Sequence, residues 1–146
     1  MFVLLMITSC GKDKEGYWDA EEQKQQDHNL IKEYVAEKEL DGVFTESGLY
    51  YVIEVTGGPV KPTLESKITA DYIGYYLDGE KLDEGHLNDY YLGSLILGWQ
   101  EGLQLIGING KIKLIIPSHL AYGHNPSGGV RRDAVLMFDI HLIDFE

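Results

Sequence analysis

Two hydrophobic periods follow one another along the chain and divide it. From residue 19 to residue 41, neither Pro nor Gly interrupts a run rich in Glu, Gln, Lys and Ala. Leu30, Ile31, Tyr34 and Val35 recur there at three- and four-residue spacing, the period of a helix with one apolar stripe. Asp19 stands where a cap belongs, with Glu22 three residues on, a capping-box spacing. Asp41-Gly42 supplies a stop.

From Val43 onward the period becomes two. Leu49, Tyr51, Ile53 and Val55 share one side of a strand that Gly57-Gly58-Pro59 ends. Ile68, Ala70, Tyr72 and Gly74 face one way, while Lys67, Thr69 and Asp71 face the other. Asp78-Gly79 is a tight-turn pair. Ile112, Leu114 and Ile116 oppose Lys111 and Lys113, and Pro117 stops that strand. Leu136, Phe138, Ile140 and Leu142 oppose Asp139 and His141. Between these groups, residues 95–106 predict a short helix with Ile96, Trp99, Leu103 and Ile106 on one face. Gly98 and Gly102 weaken it by about 1 kcal/mol each relative to Ala, so it needs a sheet to lean on. The expected fold is α+β: an antiparallel sheet of about five strands wrapped around one short helix, preceded by an N-terminal helix.

Composition narrows the function. The chain has 146 residues, 44% of them hydrophobic, which suits one domain with an appendage. A net charge of −12 argues against duplex nucleic acid, whose binding rests on phosphate neutralisation. No pair among His28, His86, His119, His124 and His141 has the spacing of a zinc helix, and the single Cys10 forms no cluster. Neither G-x-S-x-G nor a phosphate-binding glycine loop is present. No metal or cofactor is predicted.

The apolar run 2–7 is too short to span a bilayer and reads as an export signal over residues 1–9. Residues 10–18 read as a polar tether. The 19–41 helix has two open readings: a helix packed on the domain or spacing it from a membrane, or a dimerising arm. The protein is accordingly expected to be a monomer, or a dimer through that helix. Ile7-Thr8-Ser9-Cys10 resembles a bacterial lipobox, which implies a lipid anchor on Cys10 and a place in the bacterial cell envelope. No Lys or Arg precedes the run, which is expected if the true start lies upstream.

Four blocks occur in a fixed order: 71–83 (DYIGYYLDGEKLD), 98–103 (GWQEGL), 116–123 (IPSHLAYG) and 136–142 (LMFDIHL). Together they resemble the FKBP-type peptidyl-prolyl isomerases over residues 48–146, within an expected domain of residues 43–146. The resemblance implies that rotation about X–Pro bonds is catalysed without nucleophile, metal or cofactor, and that the partners are unfolded or Pro-containing polypeptides. It implies Trp99 as the floor of a pocket, Tyr72 and Phe138 as walls, and Asp83 hydrogen-bonded to Tyr72. The Ile96 N–H and the Tyr122 hydroxyl would hold substrate carbonyls. Leu95 and Val130 would complete the lining, with Leu82 where the family usually carries Phe. Arg131 and Arg132 stand in the loop where the family commonly has prolines, and two readings remain for them: contact with acidic substrates, or a solvated loop. A different class of function also remains: a binding module or holdase that keeps the pocket and turns over poorly. A third is a structural component of an envelope complex.

Overall fold

The structure, a computed structural model, describes residues 17–146. Cys10 and the apolar run before it lie outside the described residues. The elements are α1 (Ala20–Glu37), β1 (Val43–Phe44), β2 (Tyr50–Val55), β3 (Lys67–Tyr76), β4 (Lys81–Tyr91), α2 (Leu97–Leu103), β5 (Lys111–Ile116) and β6 (Leu136–Phe145). Single 3-10 turns occupy Leu92–Ser94 and Ser118–Leu120. Among the described residues no helix is long and apolar enough to cross a membrane.

All strand pairs are antiparallel, in the order β1-β2-β5-β6-β3-β4. The sheet thus has six strands rather than about five. The extra one is the two-residue β1, too short to carry a period, which pairs with Tyr50 and Tyr51. At the other side β4 is the outer strand. Its register on β3 shifts twice, and Asp89 takes a left-handed φ of 57° at the bulge.

Because alternate residues face opposite ways, β5 and β6 bury side chains on both faces. Ile112, Leu114, Ile116, Leu136, Phe138, Ile140 and Leu142 join Trp99 and Leu103 of α2 in the larger core. Ile115, Val135 and Met137 point the other way, and with Tyr50 they close over Ile31 of α1. The α2 core was expected from the alternation. The second was not, since Ile115 falls on the face that Lys111 and Lys113 make look solvated. Lys113 itself is bound to Asp139 at 2.7 Å.

Asp19 caps α1 as expected, accepting from the N–H groups of Glu21 (2.9 Å) and Glu22 (3.1 Å). The helix stops before Asp41-Gly42. Leu40 N–H bonds Val35 O and Glu39 N–H bonds Ala36 O, with Glu39 at φ 52°. This is a Schellman ending with a glutamate in the glycine position. Ile31 carries the buried stripe, whereas Leu30 is 48% exposed.

α2 is shorter than the predicted 95–106 segment, because Leu95 and Ile96 are extended on entry. Its weakness by propensity has a packing reason. A Cβ on Gly98 would come within 2.5 Å of Ile116, and one on Gly102 within 2.5 Å of Leu114. The two glycines let the helix backbone lie directly on β5.

Candidate functional site

The end of α2 that carries Trp99 faces a cavity of about 270 Å³. Its lining includes Tyr72 from β3, Leu82 and Asp83 from β4, Leu95, Ile96 and Trp99 around the start of α2, Tyr122 and Val130 from the loop between β5 and β6, and Phe138 from β6. These are the nine pocket candidates named from the sequence, drawn from five segments. Leu87 and Gly128 also line it and were missed. For Leu87 the signal was available: on β4 it shares a face with Asp83 and Gly85, which pair with Gly74 and Tyr72.

The aromatic residues form a box by edge contacts. Trp99 meets Tyr72 at 5.2 Å and 82°, and Phe138 at 5.4 Å and 80° between ring centroids. Edge-to-face packing places each ring's positive rim on a neighbour's negative face. Trp99 is only 4% exposed, yet it lines the cavity. Phe138 reaches its place because Gly74 opposes it in register. A Cβ there would lie 2.6 Å from the Phe138 ring.

Asp83 supplies the charge at the rim. Its Oδ2 accepts from the Tyr72 hydroxyl at 2.7 Å, and its Oδ1 from the Glu84 N–H at 2.8 Å. Burial pushes the Tyr72 hydroxyl up to about 12, with the bond to Asp83 and that carboxylate's charge adding to the rise. Tyr72 is therefore a protonated donor at neutral pH. Burial also raises Tyr122, and Asp83 adds to it.

Two donors at the cavity are unspent. The Ile96 N–H precedes the helix, and among the described residues it and the Tyr122 hydroxyl make no hydrogen bond. Tyr122 is 44% exposed. The cavity therefore offers an apolar floor and walls, two free donors and one anionic rim oxygen pair. Such a site fits a small apolar ring flanked by carbonyl acceptors. Among the described residues no group of three or more His, Cys, Asp or Glu could hold a metal ion.

Arg131 does not project toward the cavity as a free cation. It pairs with Asp78 at 2.7 Å and with Glu80, and its guanidinium lies 3.9 Å over the Tyr76 ring. The arginine thus ties the loop to the β3–β4 turn; Arg132 is exposed.

A family model for FKBP-type peptidyl-prolyl cis-trans isomerases matches residues 58–143. The FKBP-type peptidyl-prolyl cis-trans isomerase FkpA of Aeromonas hydrophila is 35% identical over 145 residues, covering 96% of this chain and 52% of its own. The protein of that name from Buchnera aphidicola of Schizaphis graminum is 38% identical over 133 residues, 85% of this chain and 53% of its own. The chain thus spans about half the length of the curated relatives it matches. Among solved structures, Escherichia coli FkpA superposes with a TM-score of 0.75 at 30% identity, over 86% of this chain and 62% of that one. A Pseudomonas syringae peptidyl-prolyl cis-trans isomerase superposes at 0.71 over 93% of this chain and 99% of that one, but at 24% identity it speaks to the fold alone.

Proposed function

The chain belongs to the FKBP-type peptidyl-prolyl cis-trans isomerases, and from that premise we propose that it catalyses rotation about X–Pro peptide bonds in the cavity over Trp99. The observation that carries the proposal is the joint placement of an aromatic box, an anionic rim and two unpaired donors in one cavity. The prolyl ring rests on the indole of Trp99 between Tyr72 and Phe138. The Ile96 N–H and the Tyr122 hydroxyl donate to the flanking carbonyls.

The chemistry needs nothing more. Rotation must break amide resonance, a barrier of roughly 18–20 kcal/mol, and unaided it takes about 10–100 s. The twisted imide has lost charge separation and is less polar than the planar one. A dry apolar cavity therefore favours the twisted form relative to water. Only this selectivity accelerates the step; equal affinity for both forms would not. Tyr72, kept protonated, fixes Asp83 in place, and Asp83 sets negative charge beside the amide as it turns.

In the cell the substrates are unfolded or Pro-containing polypeptides, and the place of action is the bacterial envelope. The export run and the Cys10 lipobox support this location and a lipid anchor; the acidic surface supports solubility rather than nucleic-acid binding. The rival binding-module reading draws on Leu82, an aliphatic wall residue. A protease-coupled isomerisation assay on Leu-Pro peptides separates the two. The isomerase accelerates the slow phase in proportion to protein added. A wild-type rate equal to the uncatalysed one, with aggregation of an unfolded client still suppressed, would establish the rival.

A further inference from the structure

One buried carboxylate stands outside the cavity and has no part in the chemistry above. Asp27, in the middle of α1, is fully buried. Its Oδ1 accepts from Gln23 Nε2 at 2.9 Å. Its Oδ2 accepts twice from Ser118, from the backbone N–H at 2.8 Å and from the hydroxyl at 2.6 Å. Taking a carboxylate out of water is costly unless donors surround it, and here three do. Ile31 gives α1 an apolar hold on the sheet. What the carboxylate adds is direction: two donors of one residue converge on one oxygen, which fixes how Ser118 is turned.

Ser118 governs the segment that bears Tyr122. Its carbonyl accepts from both Ala121 N–H and Gly123 N–H, each at 3.0 Å. The Tyr122 side chain has no hydrogen bond of its own among the described residues. Its aim into the cavity is therefore set by the backbone on either side of it. The far end of the loop is held from the same direction. Gly123 O accepts from Asp133 N–H at 3.0 Å, Asp133 binds His124 at 2.8 Å, and the His124 ring stacks on Trp18 at 4.6 Å and 24°. Trp18 immediately precedes the α1 cap.

We infer that Asp27 is a positioning residue for the isomerase reaction, holding through Ser118 the turn that aims the Tyr122 hydroxyl into the cavity, and that α1 is thereby part of the working unit. The inference rests on the isomerase reading, and Trp18 stacked on His124 is the second hold of the same clamp.

The test uses the full chain carrying Asp27→Ala or Asp27→Asn, alone and with Tyr122→Phe, with Leu142→Val as a remote core control. Leu-Pro turnover and amide hydrogen exchange are read on each. Asp27→Ala is expected to lower kcat/KM about tenfold, mostly in kcat, by misplacing a donor. Exchange at the Gly123 and Asp133 amides rises, while the β5–β6 ladder stays protected. In the Tyr122→Phe background the same change costs less than about twofold, as residues acting as one unit are not additive. Asp27→Asn, which keeps an acceptor for Ser118, retains most of the rate. An equal loss with and without Tyr122, a loss matched by Leu142→Val, or unchanged Gly123 exchange overturns the inference. Should Asp27→Ala not fold, Ser118→Ala removes one donor of the pair and is read the same way. A wild type that turns over no peptide sinks the isomerase reading instead, and the exchange data still decide whether Asp27 holds the turn.

Discussion

Gly98→Ala sets two known effects against each other. In an exposed helix the change would stabilise by about 1 kcal/mol, since alanine loses less backbone entropy than glycine. Here the new Cβ would meet Ile116 Cγ2 at 2.5 Å, Cδ1 at 2.7 Å and Cγ1 at 2.9 Å. Ile116 is fully buried, and its β-branched side chain has little rotamer freedom with which to retreat. Overpacking of this kind costs about 1–3 kcal/mol. With three atoms of a stiff neighbour inside contact distance, the upper half applies, about 2–3 kcal/mol. Less the propensity gain, the net is about 1–2 kcal/mol of destabilisation. Urea unfolding measures it as a lower midpoint at unchanged slope. Ile116→Ala alone costs about 2–5 kcal/mol, but it removes the atoms that clash. The double variant should therefore be more stable than the sum of the singles by the relieved overpacking, about 2–3 kcal/mol. A more stable Gly98→Ala, or strict additivity with Ile116→Ala, would refute direct seating of α2 on β5. Since Trp99 is the next residue, the variant should also lift the cavity floor and slow turnover.

Three further outcomes are expected. Tyr72 should ionise near pH 12, so an ultraviolet titration of Tyr72→Phe should lose its most alkaline phenol; loss of one titrating near 10 would contradict the Asp83 contact. The sign follows: the fold favours the neutral phenol, so its contribution to stability is whole below pH 10 and fades as pH rises toward 12. Phe138→Ala should cost about 3–5 kcal/mol in urea midpoint and abolish turnover, whereas Asp83→Val, at an exposed rim position, should lose most turnover while keeping its midpoint within about 1 kcal/mol. Ile31→Ala should cost about 2–5 kcal/mol because it empties the centre of the second core; an unchanged midpoint would mean that α1 does not pack on the sheet.

What could be read from the chain follows from what depends on near neighbours. Alternation named Ile112, Leu114, Ile116, Phe138 and Ile140 as one face, because a half-buried strand writes its burial at period two. It could not name Ile115 or Met137, whose burial depends on a helix roughly eighty and a hundred residues away in sequence. Glu39 hid the end of α1, since a left-handed glutamate leaves no mark in the pattern. The site aromatics emerged through the order of their blocks rather than through any one of them. Leu87 escaped although it keeps step with Asp83 and Gly85, because residues 81–91 carry no apolar alternation to mark that strand. Asp27 looked like one more solvated acid on an acidic helix, and only its tertiary contact with Ser118 sets it apart.

The outermost ladder has a bearing on the company such a protein keeps. An extended, unfolded polypeptide will add itself to any free row of backbone donors and acceptors. β4 offers such a row, but it carries Lys81, Asp83, Glu84, His86 and Asp89 and breaks its own regularity at the bulge. Charge and twist together discourage a visitor from zipping on. Under the proposed function, a client meets the molecule at the aromatic cavity, has one prolyl bond turned there and departs, instead of seeding an aggregate on its flank.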